Sequence, residues 1–145
     1  TSRDVKMKLN YEPRGEEYIL NIDSNNAGST LKVLRLYENM RGGNLQIEAK
    51  RDKYKNFHGF AKIRDFSLVN TPVFAKVLSL ASLTGILDTL TGEGLRFTHL
   101  DAPFRYTFST KDLSTDEAKM FGPSVGLRAS GSYNLVDEAL DIKGI

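Results

Sequence analysis

Apolar and polar side chains alternate residue by residue through most of this chain, and a period of two places the apolar ones on one face of a half-buried strand. Val5, Met7, Leu9 and Tyr11 alternate with Asp4, Lys6, Lys8 and Asn10. Tyr18, Leu20 and Ile22 follow a turn at Pro13-Arg14-Gly15, which predicts a hairpin within residues 1–24. Leu45, Ile47 and Ala49 alternate with Asn44, Gln46, Glu48 and Lys50, and a further strand is expected over 57–68. Phe104, Tyr106 and Phe108 alternate with Arg105, Thr107 and Ser109, and another strand is expected around 114–121. The clearest case sets Val125, Leu127, Ala129, Gly131, Tyr133 and Leu135 against Gly126, Arg128, Ser130, Ser132 and Asn134; Leu140 and Ile142 begin one more. Short polar or glycine-containing connections favour an antiparallel meander, because parallel strands need long crossovers. The polar faces carry charge or hydroxyls throughout, so one face of the sheet is expected to be wet.

Two segments depart from the alternation. Residues 26–40 carry Ala27, Leu31, Leu34 and Tyr37 near helical spacing, with an asparagine cap before them and Gly42-Gly43 as a stop. Residues 71–91 open with Thr-Pro, which suits a cap followed by proline at the first helical position. This second helix does not keep one face. Phe74, Val77, Leu78 and Ala81 form one stripe, and Leu83, Ile86, Leu87 and Leu90 form another. We read the change of phase as a bend near Gly85, since glycine weakens a helix. Only the uncharged run between Lys76 and Asp88 invites a membrane reading, and it is far short of the roughly 20 residues a helix needs to span a bilayer. The expected fold is mainly β with two helical segments (α+β): a curved antiparallel meander partly covered by helices at about 26–40 and 71–91.

A chain of 145 residues suits a single domain with a buried core, or a fragment of a longer repeat-like β structure. Twenty Lys and Arg against eighteen Asp and Glu leave a formal charge of +2, and the basic residues are scattered along the strands. That pattern does not form the basic stripe of a nucleic-acid groove. The absence of cysteine removes thiol catalysis, Cys-ligated zinc and disulfides. No signal-like segment opens the chain, and its last residues stop within an alternating run, so it reads as a piece of a longer protein.

A search for chemistry finds no catalytic, cofactor or metal candidate. His58 and His99 fall in expected strands without ligand-spaced partners, and Asp112, Asp116 and Glu117 do not follow the spacing of a calcium loop. Ser130-Gly131-Ser132 sits mid-strand and not at a nucleophile elbow. Gly92-Glu93-Gly94 follows a helix and precedes a strand, the reverse of the arrangement that binds phosphate at a helix N-terminus. The chain is therefore expected to be non-enzymatic.

From residue 25 onwards the blocks NAGSTLKVLRLYENMRGG (26–43), IRDFSLVNTPVFAKVL (63–78), LASLTGILDTLTGEGLRF (80–97) and FGPSVGLRASG (121–131) run in order without large gaps. Together they resemble the C-terminal region of the AsmA-like family of bacterial envelope proteins of the YhdP type. Residues 1–24 look like a less distinctive flanking hairpin. The resemblance implies a periplasmic β-groove, part of an inner-membrane-anchored protein of Gram-negative bacteria. It also implies a role in moving phospholipids between the inner and outer membranes and in maintaining the outer-membrane barrier.

On that reading, acyl chains lie along the face carrying Phe104, Tyr106, Phe108, Val125, Leu127 and Tyr133. The second helix, through Phe74, Val77, Leu78, Leu83, Ile86, Leu87 and Leu90, then flanks or gates it. The expected partners are phospholipid acyl chains and adjacent β-repeats of the full-length protein, with membrane contact only through regions outside this chain. The alternative is a structural, capping or protein-interaction module that binds no lipid, its exposed edges at 5–11 and 140–145 pairing with neighbouring strands.

Overall fold

The computed structural model describes residues 4–69, 94–123, 126–137 and 139–143. The protein is mainly β. Its strands are β1 (Met7–Arg14), β2 (Glu17–Ser24), β3 (Met40–Arg51), β4 (Phe57–Leu68), β5 (Leu95–Thr107), β6 (Asp112–Phe121), β7 (Gly126–Asn134) and β8 (Leu140–Lys143). They form one sheet in sequence order, every neighbouring pair antiparallel, including the pairs β2–β3 and β4–β5, which longer connections join. One helix, α1 (Ala27–Val33), interrupts the strands after β2. The expected helix at 71–91, with its bend at Gly85, lies outside the described residues.

The first hairpin is tighter than its sequence implies. Pro13 is inside β1, paired with Tyr18, and the turn itself is only Gly15-Glu16. Proline is tolerated because β1 is an edge strand, where a missing N–H breaks no ladder. Gly15 takes φ +67, the left-handed value that two-residue hairpin turns demand at this position.

Helix α1 starts where expected, with Asn26 Oδ1 accepting from Ser29 N at 3.0 Å, but it ends at Val33 and does not reach residue 40. Leu36 N donates to Leu31 O and Arg35 N to Lys32 O, a closing pattern that needs a left-handed residue after the cap. Arg35 supplies it at φ +58. A glycine usually marks such a stop, so an arginine there leaves no signal in the sequence. The expected stop, Gly42-Gly43, instead lies inside β3 with φ +66 and +92. A Cβ on Gly43 would come within 2.9 Å of the Phe66 Cβ.

That glycine belongs to a row, Gly43–Asp65–Thr98, at which three strands break alternation together. Buried side chains step by three and not two, from Ile63 to Phe66 on β4, while the pairing register on either side is unchanged. Asp65 takes φ +55 there. The break keeps Phe66, Leu68, Leu95 and Phe97 in the core with Ile22, Leu45, Ile47, Ala49, Ile63 and Leu127. Helix α1 adds Ala27 and Leu31 to that core. It lies so close to the start of β3 that a Cβ on Gly28 would overlap the Met40 carbonyl.

Candidate functional site

Register shows which apolar side chains share a face. One row crosses seven strands as Pro13–Tyr18–Arg51–Phe57–Tyr106–Leu113–Tyr133, and another on the same face, nearer α1, runs Met7–Ser24–Leu45–Ile63–Leu100–Met120–Leu127. Between them lie Leu9–Ile22–Ile47–Ala61–Ala102 and Tyr11–Leu20–Ala49–Gly59–Phe104. The result is one apolar face that runs from β1 to β7. Its middle is floored by small residues, Ala49, Gly59, Ala61 and Ala102, with Phe57 and Tyr106 on one side and Ile63 and Leu100 on the other.

Coverage of this face is uneven. It is buried at Leu45, Ile47 and Ala49 of β3 and at Ile63 of β4, and half-buried at Phe57, Gly59 and Ala61 of β4, along β6 and over much of β7. On β1 it is open: Met7, Leu9 and Tyr11 are 46%, 47% and 41% exposed, and Val5 just before them 52%. Tyr11 stacks on Tyr18 at 4.8 Å, and the Arg51 guanidinium lies 4.5 Å over the Tyr18 ring while donating to Tyr11 Oη at 2.6 Å. These contacts hold the open edge strand to the sheet although most of its surface faces solvent.

Of the expected contact residues, Phe104, Tyr106, Leu127 and Tyr133 fall on this face. Leu127 is buried in the core, Phe104 packs against it, and Tyr106 meets Phe57 with ring centroids 6.3 Å apart. Phe108 is elsewhere, because β5 ends at Thr107 and the next residues turn. Its ring lies 3.5 Å from Lys111 Nζ and 5.1 Å from Lys55 Nζ, and its N–H donates to Asn56 Oδ1, tying the β5–β6 turn to the β3–β4 turn. Val125 and the helix residues Phe74, Val77, Leu78, Leu83, Ile86, Leu87 and Leu90 lie outside the described residues.

Polar chemistry on this face is sparse. Ser24 and Thr30 hydroxyls pair at 2.6 Å beneath α1. Thr115 Oγ1, at the irregularity where β6 and β7 slip between Thr115 and Ala118, is buried without a hydrogen-bond partner among the described residues. An unpaired buried hydroxyl costs about 1–3 kcal/mol. Thr115→Val, which keeps the shape and removes the hydroxyl, is therefore expected to stabilise the protein by about 1 kcal/mol. A urea midpoint that stays put or falls would show that the hydroxyl is satisfied.

At the far end of the sheet Asn134 Nδ2 donates to Asp112 Oδ1 at 2.9 Å and holds that carboxyl below its ordinary pKa, helped by Thr110. The same amide also donates to Thr110 O, and Asn134 Oδ1 accepts from Val136 N and Asp137 N, so one side chain organises the β7–β8 turn. Among the described residues no three His, Asp or Glu side chains gather as a metal site, and no helix is long and apolar enough to cross a membrane. The chain matches no family model, and no curated protein or solved structure matches it.

Proposed function

We propose that this chain is a non-enzymatic lipid-handling module whose apolar sheet face carries phospholipid acyl chains. The observation that carries the reading is the continuous apolar face from β1 to β7, left open on β1 and half-covered on β6 and β7. Exposed apolar surface of this extent marks an interaction site on a soluble protein. Covering it with an acyl chain gains about 0.8 kcal/mol for each CH₂ removed from water. The small residues Ala49, Gly59, Ala61 and Ala102 of β3–β5 lie between larger side chains on this face, which supports a trough for an acyl chain. The resemblance of residues 25–145 to YhdP-type AsmA-like proteins adds the setting: a periplasmic portion of an inner-membrane-anchored protein in a Gram-negative bacterium. There it would contribute to phospholipid transport between the membranes and to the outer-membrane barrier.

A second reading has its own observation. Every residue of β1 is exposed, so the strand offers an unpaired ladder as well as an apolar stripe. In that reading the chain is a structural or interaction module, and the edge pairs with a strand from an adjoining repeat. Purification of the chain, organic extraction and lipid mass spectrometry separate the two. Phospholipid is expected at a fixed ratio to protein, and recovery must fall when Leu9→Glu places a charge on the open part of the face. Protein that carries no lipid and takes up none from vesicles removes the acyl-chain reading and leaves the edge-pairing one.

A further inference from the structure

The opposite, polar face of the sheet holds an open depression of about 570 Å³ across β1–β4, bordered by the exposed side chains of Lys6, Lys8, Asn44, Gln46, Lys62 and Arg64, with Asp23 also at its wall. Register explains the gathering. Lys8, Asp23, Gln46 and Lys62 form one row across the four strands, and Asn44 and Arg64 pair in the row beside it. The two basic pairs thus face one another across two intervening strands, about 14 Å apart at the usual strand spacing. Four cations against one carboxylate leave a local charge of three, more than the +2 of the whole chain.

The backbone of Lys6 is held in place. Its N–H donates to Asn25 Oδ1 at 2.7 Å, its carbonyl accepts from Asn25 N at 3.1 Å, and Asn25 Nδ2 donates to Asp4 O at 2.8 Å. None of the four cations makes an ion pair among the described residues, and the Asn44 and Gln46 amides are unpartnered there too. Asp101, the register partner of Lys62 on β5, has its contact at 3.7 Å with His99 Nε2 instead. Lys6 and Lys8, like Lys62 and Arg64, stand two residues apart on one face of their strand and repel within each pair, and an anion seated beside them relieves that repulsion.

We infer that this depression is a binding site for a phosphate group, with Lys62, Arg64, Lys6 and Lys8 supplying charge and the Asn44 and Gln46 amides supplying directed donors. The phosphate belongs either to a small soluble molecule or to a lipid headgroup. Asp23 favours ligands that pair the phosphate with a nearby cation or hydroxyl. Its basic side chains lie on the face away from the acyl-chain trough, while Met7, Ser24 and Leu45 of the apolar row also border the depression.

The test is a nuclear magnetic resonance titration of the chain with inorganic phosphate, alongside sedimentation with phosphatidylglycerol and phosphatidylcholine vesicles. Saturable shifts centred on Asn44 and Gln46 are expected. Affinity should fall at least about tenfold in the double variant Lys62→Glu, Arg64→Glu, and be unchanged in Lys50→Glu, which alters the same face outside the depression. It should also weaken between 20 mM and 200 mM salt, as screening requires. Should the reversed charges unfold the chain, Lys62→Gln, Arg64→Gln takes their place. Sedimentation with phosphatidylglycerol vesicles that the double variant loses identifies a headgroup; shifts with phosphate and no sedimentation identify a soluble ligand. Shifts spread over all lysines, or equal in the double variant, overturn the site.

Discussion

Phe97→Ala is expected to lower the unfolding free energy by about 4 kcal/mol, among the largest losses from truncating a single side chain among the described residues. Phe97 and Phe66 are 0% and 1% exposed, paired across β4 and β5, and their rings stack at 5.5 Å with 19° between planes. They sit next to the row where three strands break alternation, so a cavity at this point has rigid backbone on both sides and little means of collapsing. A domain of this size is commonly stable by about 5–15 kcal/mol, which leaves the variant close to unfolding at room temperature. Urea denaturation checks the value, with an unchanged slope showing that only stability moved. Phe66→Ala should cost a similar amount, and the double variant about 1 kcal/mol less than the two losses added, because each ring loses its stacking partner only once. Phe60→Ala, at 56% exposure on the polar face, should stay within about 0.5 kcal/mol of the parent.

Strand identity was legible in the sequence because period-two alternation is imposed by the backbone itself, and Leu45–Ile47–Ala49 or Leu127 keep it without interruption. It failed as a guide where the backbone leaves the extended region. The row at Asp65 puts Ile63 and Phe66 on one face at a spacing of three, and no residue type announces that an aspartate will take φ +55. Arg35 ends α1 in the same way. Gly42-Gly43 did announce a left-handed backbone, but glycine pairs stop helices and shift strands alike, and only the β3–β4 pairing distinguishes the two. Phe108 continued an alternation that the chain abandons after Thr107, where the next four residues turn.

The two faces of the sheet differed in how far they could be read. Phe104, Tyr106, Leu127 and Tyr133 could be placed on a common face from local patterning, since each lies on the apolar side of its own strand. The basic depression could not. Lys6 and Lys8 are separated from Lys62 and Arg64 by more than fifty residues, and charges dispersed along a sequence become a cluster only once register sets β1 opposite β4 across two strands. The signal was present as two Lys-x-Lys/Arg pairs on polar strand faces. Its meaning required knowing that both pairs lie toward the same end of the sheet.

Gly59→Ala tests the apolar trough from its floor, and a loss of about 3 kcal/mol is expected. Gly59 lies mid-sheet between Ala49 and Phe104, and a Cβ there would overlap the Glu48 carbonyl oxygen and approach the Ala49 Cα to 2.6 Å. Both obstacles are backbone atoms of β3, so no rotamer change relieves them. Either β4 shifts away from β3, breaking central ladder bonds, or the strand pair opens. Gly15→Ala is the matched control: it has the left-handed φ of +67 but nothing within 4 Å of a new Cβ, so its cost is the conformational term alone, about 1–2 kcal/mol. Denaturation of the two variants, with amide exchange along β3 and β4, separates steric from conformational loss. Faster exchange confined to Leu45–Ala49 and its β4 partners is expected for Gly59→Ala only. Equal losses at both positions would mean that β3 and β4 are not held at the close separation found at Gly59.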